Sequence, residues 1–436
     1  MWMASSEGSS GGPQARCRVQ HLIIHGTRIR PSSWTALASS LPGGQVHEAG
    51  LRPLHRLGAV AWLRAIFILW LMKLDAAVLA GFVTALVVAV LACVLPAPAV
   101  AAGPGRAFFG TMSWTLPGAQ DIAVMKRGRV GTLRGVFDSA LEVSPDPARE
   151  APYDGLMATA ARKRIEILPM LMSGERSRLG FKRPRTLAER TVWARFVSGV
   201  VARYGRGGTF WEAHPELDPM PLRAYQVWNE PNLPAYWRPA RDISGYLGLV
   251  RLTRARLLAV DPMASIVLAG LPDSGHGTRM LDYLRAIYAQ PGARTLFDVV
   301  ALHPYSDDAP SVLEKLNLVR GLMDRRGDRR TPIWVTEIGW ATGGPRSPFT
   351  TSRGGQAARF TRTLRGLMAA RGRLRLGRIV VAFLQDRPYI ASERPWWGPR
   401  TGLFDVAGRP KPAWAAFVSF TGGLPGGRVR NLARRQ

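Results

Sequence analysis

Residues 223–232 read RAYQVWNEPN. The part from Ala224 to Trp228 is dense in aromatic and branched side chains and predicts a short buried strand. The run then stops at Asn229-Glu230-Pro231-Asn232. Proline has no N–H to give to a sheet ladder, and it pushes the residue before it out of helical geometry. A strand therefore leaves a core and delivers the carboxylate of Glu230, flanked by two amides, at its carboxyl end. In parallel α/β architectures that end of the sheet carries ligands and chemistry.

A second stretch repeats the pattern. Residues 331–340, TPIWVTEIGW, form another apolar run ending in an acid, Glu337, 107 residues after Glu230. Around these two stretches, from about residue 103 to 425, apolar runs of five to eight residues alternate with longer segments of helical period. The strand candidates are 107–112, 132–137, 165–171, 224–228, 265–271, 299–303, 333–337 and 379–384. The clearest helices are 187–204, 243–259, 278–289, 311–325 and 353–370, the first opened by a capping box of Thr186 and Glu189. Asp307-Asp308 with Pro310 opens another. Eight parallel-type strands with intervening helices predict a (β/α)8 TIM barrel. A doubly wound sheet would show a Gly-rich phosphate loop after its first strand, and Gly110-Thr111-Met112-Ser113 is none.

On such a barrel Glu230 and Glu337 end the fourth and seventh strands and face each other across the mouth. Two carboxylates about 5 Å apart suit double-displacement glycoside hydrolysis, one attacking the anomeric carbon and the other holding a proton for the leaving oxygen. Their mutual field raises the pKa of one of them. Asn229 is placed to bond a sugar 2-hydroxyl. His303 and Tyr305 end the sixth strand, where the Tyr305 hydroxyl can orient Glu337. Arg134, on the second strand, can keep Glu337 ionised. Trp114, Trp228, Trp340, Trp396 and Trp397 offer flat apolar faces for sugar rings. Plainer readings stand beside these: a buried structural His303, Tyr305 as packing, Arg134 in a structural ion pair, each tryptophan as core. Trp396-Trp397, in a Gly/Pro-rich loop after the last strand, are the better candidates for exposure.

The chain has 436 residues, 47% of them hydrophobic, enough for a large core and outside the compositional range of disorder. Its formal charge is +29, carried by 6 Lys and 53 Arg against 30 acids. The arginines are scattered through every predicted helix rather than gathered in one patch, which reads as compositional bias and argues against a nucleic-acid partner. Cys17 and Cys93 both precede residue 103, so the main domain has neither a disulfide nor a thiolate metal site. The 7 His show no H-x-H or H-x-x-H spacing, and His303 has no obvious ligand partner. No metal and no cofactor is expected.

Residues 1–71 read as an unstructured or mis-assigned extension ahead of Met72, and 1–56 carry no clear periodicity. Residues 57–72 are an apolar run broken by Arg64. The purer run from Ala76 to Leu95, AAVLAGFVTALVVAVLACVL, is long enough to span a bilayer. Read from Met72-Lys73, residues 72–102 form a signal peptide with an A-x-A site at Ala99-Val100-Ala101, or alternatively a retained membrane anchor with 57–72 as a second leg. Residues 90–93, VLAC, weakly resemble a lipoprotein signal. Each reading exports residues 103–436 to the cell surface or the extracellular space. Nothing in the sequence sets the oligomeric state.

The motifs together carry a resemblance. WNEPN followed by Tyr236-Trp237, with the later WVTEIGW, resembles the clan A glycoside hydrolases, and VWNEPNLPAYW looks most like family 39 and its bacterial relatives. It covers roughly residues 105–420 in order and spacing. It implies a (β/α)8 barrel and a retaining mechanism on the O-glycosidic, β-linked bonds of an oligo- or polysaccharide. By motif, Glu230 matches the acid/base, Glu337 the nucleophile and Asn229 the 2-hydroxyl contact; His303 and Tyr305 match by position. Two places depart: Ser139 stands where the relatives carry a tryptophan, and the eighth strand, VVAFLQD, lacks their Trp-bearing end. Both shape the subsite of the cleaved sugar, so the substrate is left open. Residues 145–154 and 179–185 are expected to line the cleft. The alternatives are a cell-surface barrel that binds polysaccharide without cutting it, and a basic surface protein held to anionic lipid or nucleic acid.

Overall fold

The computed structural model describes residues 104–139, 147–173, 183–390, 393 and 395–433, with the backbone alone for 147–152. All belong to the unit Ala101–Gln436. The apolar run from Ala76 to Leu95 lies outside the described residues, as do most of the expected cleft segments: 145–146, 179–182 and the side chains of 147–152. Among the described residues, no helix is long and apolar enough to cross a membrane.

The chain alternates strand and helix: β1 (Phe109–Met112), α1 (Ala119–Arg127), β2 (Thr132–Asp138), α2 (Pro147–Lys163), β3 (Glu166–Met172), α3 (Leu187–Tyr204), α4 (Thr209–Ala213), β4 (Ala224–Val227), α5 (Ile243–Val260), β5 (Ser265–Val267), β6 (Leu271–Pro272), α6 (Met280–Ala289), β7 (Val300–His303), α7 (Ala309–Arg325), β8 (Ile333–Val335), α8 (Arg353–Leu374), β9 (Leu376–Val381) and α9 (Pro412–Thr421). The nine strands form one curled, all-parallel sheet in the order β5-β4-β3-β2-β1-β9-β8-β7-β6. An isolated parallel bridge, Val267 to Val299, links β5 to the residue preceding β7.

The apolar run 265–271 is expected as one strand but forms two. At its centre the backbone leaves the ladder for other partners: Ala269 N–H donates to the Tyr246 hydroxyl at 2.7 Å, and the Gly270 carbonyl accepts from Glu230 N–H at 3.2 Å. Buried backbone groups must be paired somewhere. Here the pairing fixes the loop that carries Glu230.

Period-two alternation sorts the strand residues. Leu133, Phe137, Tyr225, Val227, Val300, Leu302, Ile333, Val335, Ile379 and Val381 pack outward with the helices in the main core. The opposite face holds separate small clusters, Leu168 with Val267, Val299 and Ala301, and Met112 with Val380, Ala382 and Phe383. It also carries polar side chains: Arg134 from β2, Gln226 from β4, and the Arg378–Glu166 pair at 2.9 Å. Helix starts follow their caps. Glu189 N–H donates to Thr186 Oγ1 and Thr186 N–H to Glu189 Oε2, closing the expected capping box at the start of α3. Asp308 accepts from Ser311 N–H at the start of α7.

Candidate active site

Both acids leave the carboxyl ends of their strands, and the backbone that delivers Glu230 departs from regular geometry. Trp228 has φ 73° and Glu230 φ 43°. A left-handed backbone at a tryptophan is a rare conformation that costs on the order of 1 kcal/mol or more and persists only where its surroundings enforce it. Here Trp228 N–H bonds Leu171 O and the indole Nε1 bonds Tyr236 O at 3.0 Å, while the ring packs against Trp193 and Trp237. Strict alternation would put Trp228 on the same face as Gln226. The left-handed turn sends it into the helix layer instead and frees Asn229 and Glu230 to face the mouth. The expectation of Trp228 as a sugar platform is corrected on that ground.

Glu230 and Glu337 are each 8% exposed. Oxygens of the two carboxylates and a nitrogen of His303 all lie within 4.8 Å of one another. His303, fully buried, bonds Glu230 Oε1 through Nδ1 at 2.7 Å and reaches Thr336 Oγ1 through Nε2 at 3.1 Å, with Glu337 Oε1 3.6 Å away. Its imidazole lies against Gly270, where a Cβ would overlap the ring. His303 thus has the partner that the sequence did not reveal.

Arg134 is fully buried and uses its whole guanidinium. Nη1 donates to Glu337 Oε1 at 2.6 Å and to Met112 Sδ, Nη2 to Asn229 Oδ1 at 2.9 Å and to Met170 Sδ, and Nε to Gln226 Oε1 at 2.7 Å. Tyr305 donates to Glu337 Oε2 at 2.9 Å. Each Glu337 oxygen therefore meets a strong donor. Glu230 accepts at Oε1 alone among the described residues.

The electrostatics split the pair. Burial pushes the Glu230 carboxyl above the usual carboxylate range; His303 opposes this and the Glu337 charge adds to it. Burial pushes Glu337 up as well, but His303 and Arg134 outweigh it, aided by the bonds from Arg134 and Tyr305, and hold it below the usual range. Burial and the two carboxylates raise the Tyr305 phenol well above its usual value, so it stays a proton donor. Glu230, His303 and Glu337 are close enough to share a metal ion. Yet the Arg134 cation lies against Glu337 and would repel such an ion, so the donor set fits an acid pair better.

Neither a protein-family model nor a curated protein matches the chain. Solved structures do. A monomeric β-xylosidase from Caulobacter crescentus CB15 is similar with a TM-score of 0.53 at 18% identity, over 73% of this chain and 68% of that one. The family 39 enzyme from Xanthomonas axonopodis pv. citri gives 0.52 at 16%, over 74% and 68%. The family 39 glycoside hydrolase from Bacteroides cellulosilyticus WH2 gives 0.51 at 17%, over 73% of this chain and 64% of that one. The chain has the fold of the family 39 glycoside hydrolases. It spans less than two thirds of the Bacteroides enzyme's length.

On this family 39 fold the mouth has an aromatic wall. Trp114 stacks on Phe383 at 3.6 Å between ring centres and meets Trp396 edge-on at 6.1 Å. Trp396 meets Trp397, which packs on Phe349 and on Tyr305 at 5.1 Å. The wall thus ends on the residue that bonds Glu337. The Arg387 guanidinium covers the Trp114 ring at 4.6 Å and pairs with Glu393, which also takes the Trp396 indole N–H. Trp396 is 36% exposed, and Trp114 and Trp397 are partly buried.

Trp340 does not belong to the wall. It is fully buried, donates to Ser306 O at 2.7 Å and packs edge-on against Phe360. Its place three residues past Glu337 turns it back into the core, which corrects the expectation of a sugar platform. Conversely, sequence reading passed over Phe383, Gln226, Thr336 and Gly270. Phe383 stood in the quoted eighth strand and could have been weighed as an aromatic at a strand end. The other three carry no local signal.

Proposed function

We propose that this chain is a retaining glycoside hydrolase acting on β-linked sugars, on a (β/α)8 barrel whose fifth strand is split into β5 and β6. One observation carries the reading: two buried carboxylates past the carboxyl ends of β4 and β8 have oxygens within 4.8 Å, with surroundings that push their pKa values apart. That separation suits double displacement, since an inverting pair needs room for a water between its carboxyls. The similar structures named above include a β-xylosidase, and an exo-β-1,4-mannosidase from an Opitutaceae bacterium is similar with a TM-score of 0.51.

In this mechanism Glu337 attacks the anomeric carbon while Glu230 passes its proton to the leaving oxygen. Glu230, now ionised, takes a proton from the water that opens the glycosyl-enzyme. Arg134 and Tyr305 hold Glu337 charged and oriented, and His303 positions Glu230. Arg134 occupies the Asn229 oxygen, which leaves the Asn229 Nδ2 to donate to a sugar 2-hydroxyl. The wall of Trp114, Phe383, Trp396 and Trp397 supplies apolar faces to the sugar rings. Residues 72–102 export the domain; an amino-terminal peptide sequence of the native protein tests that part.

The test is a panel of aryl β-xylosides, β-glucosides and β-mannosides with exopolysaccharides. The anomer first released should be of the substrate's own configuration by NMR. Inverted product overturns the retaining mechanism. Polysaccharide binding with no release by the wild type overturns hydrolysis in favour of a binding barrel.

A further inference from the structure

The amino ends of β1 to β3 border an open cavity of about 700 Å³, walled on one side by the end of α9 and residues 422–424. Six cations line it: Arg106, Lys126, Arg127, Arg129, Lys163 and Arg164; no acid does. Two of the six lysines of the whole chain are among them. Of the six, Arg164 alone has a carboxylate within salt-bridge distance among the described residues, Asp218 at 3.0 Å, and both of those side chains are mostly exposed.

Two features separate this cluster from scattered surface arginine. First, Arg129 and Arg164 hold left-handed backbone, φ 49° and 55°. Each stands just past a helix end whose 6→1 and 5→2 bonds are both made, Val130 to Met125 and Arg129 to Lys126 in one turn, Ile165 to Ala160 and Arg164 to Ala161 in the other. Glycine is the ordinary occupant there, because it has no Cβ to strain. Arg375 takes the same conformation elsewhere, but its Nε donates to Arg330 O. Second, the cavity is concave, and walls of low dielectric focus the field of like charges. Burial, then the charges of Arg106, Arg164 and Lys163, lower the Lys126 pKa. The two basic residues in the last turn of α1 gain a little from the helix dipole. Lys163 gains likewise in the last turn of α2, and Arg106, ahead of β1, stands on neither helix.

We propose that this cavity is a binding site for a compact polyphosphoryl anion. The arginine fork and the lysine ammonium both match phosphate oxygens. A carboxylated glycan brings one charge per sugar and would leave most of the six cations unanswered. The cations gather around one compact concavity rather than along an extended groove, which suits a compact anion better than a nucleic-acid backbone. The site is independent of the catalytic reading, since it lies at the opposite ends of the strands.

The experiment is calorimetric titration of the full-length protein with inorganic pyrophosphate at low salt. Saturable one-to-one binding is expected, weakened at least tenfold by the double variant Lys126→Gln, Arg164→Gln. A control of equal charge loss, Arg190→Gln with Arg256→Gln, both exposed on other helices, should bind as the wild type does. Unchanged circular dichroism shows that the variants fold. Vesicles of phosphatidylcholine with and without phosphatidylglycerol then separate the sources. Displacement of pyrophosphate by the anionic vesicles alone identifies a lipid-borne phosphoryl group, and no displacement identifies a soluble one. The proposal is overturned if the wild type shows no saturable binding, if the double variant binds equally well, or if the control loses as much.

Discussion

At the carboxyl ends of the strands, Arg134 is enclosed and gives all its donors to named acceptors, two of them on Glu337 and Asn229. At the amino ends, Arg106, Lys126 and Arg129 face a cavity with no carboxylate in its lining. The same side-chain chemistry thus serves two purposes at the two ends of one sheet. A buried cation with fixed partners acts on its neighbours' pKa values. Open cations in a concave wall act on what arrives from solvent. The difference lies in desolvation: removing water strengthens every charge interaction at the mouth, whereas solvent weakens those below.

The most severe way to break the comparison is at Glu337. Glu337→Gln keeps the shape and an acceptor for Arg134 but removes the proposed nucleophile. Turnover of any aryl β-glycoside that the wild type cleaves should fall to background, with the circular dichroism spectrum unchanged. Wild-type rates would end the catalytic account of the mouth. Next is Glu230→Ala, where loss of the proposed acid/base should cost about 10²–10⁴-fold. Azide should restore part of the rate on substrates with good leaving groups, and a β-glycosyl azide should be the product seen by mass spectrometry.

The pH profile sharpens the contrast. The proposed mechanism needs Glu337 ionised, and its depressed pKa places the acid limb below the ordinary glutamate range. It also needs Glu230 protonated, and its raised pKa places the alkaline limb above that range. For stability the signs are opposite. Glu337 contributes stability above its unfolded pKa, lost as pH falls through the folded one. Glu230 contributes below its unfolded pKa, and that contribution is lost as pH rises through its folded value. Arg134→Met should move the acid limb to higher pH and lower stability by about 3–5 kcal/mol, because a buried partner is left unpaired. An unmoved acid limb would deny Arg134 its part in ionising Glu337.

Tyr305→Phe removes one hydrogen bond to a charged group, worth about 1.5–3 kcal/mol. It should lower kcat/KM by about tenfold to a hundredfold. Trp396→Ala should raise KM by about two- to tenfold with little change in kcat, in line with the modest strength of an aromatic contact. Smallest of all, Lys126→Gln with Arg164→Gln should leave kcat/KM unchanged, because the basic cavity lies at the far end of the strands. A large effect there would mean that the two ends are coupled.

How much of this was legible depends on how local the determinant is. The strand that ends in Asn229-Glu230-Pro231 could be read because proline, amides and a carboxylate in succession are a local pattern. The same holds for the capping box at Thr186 and for most strand positions. The split of 265–271 could not be read, since its cause is a Tyr246 hydroxyl on α5 and an N–H of Glu230. Nor could the fate of the tryptophans. Trp396 stood apart through its Gly/Pro-rich loop, but Trp228 and Trp340, each close to a strand-ending glutamate, could not be told from sugar platforms until the left-handed backbone and the core contacts placed them.

The sequence by itself determined which residues are charged, where apolar runs begin and end, and that two glutamates stop two strands. Those properties follow from residue types and short-range sterics. Only the tertiary structure decided which way the protonation equilibria of those glutamates are pushed, because desolvation and the fields of Arg134 and His303 depend on distances across the sheet. Likewise only the fold gathered six cations from three separate stretches into one cavity, where charges remote in sequence share a single wall.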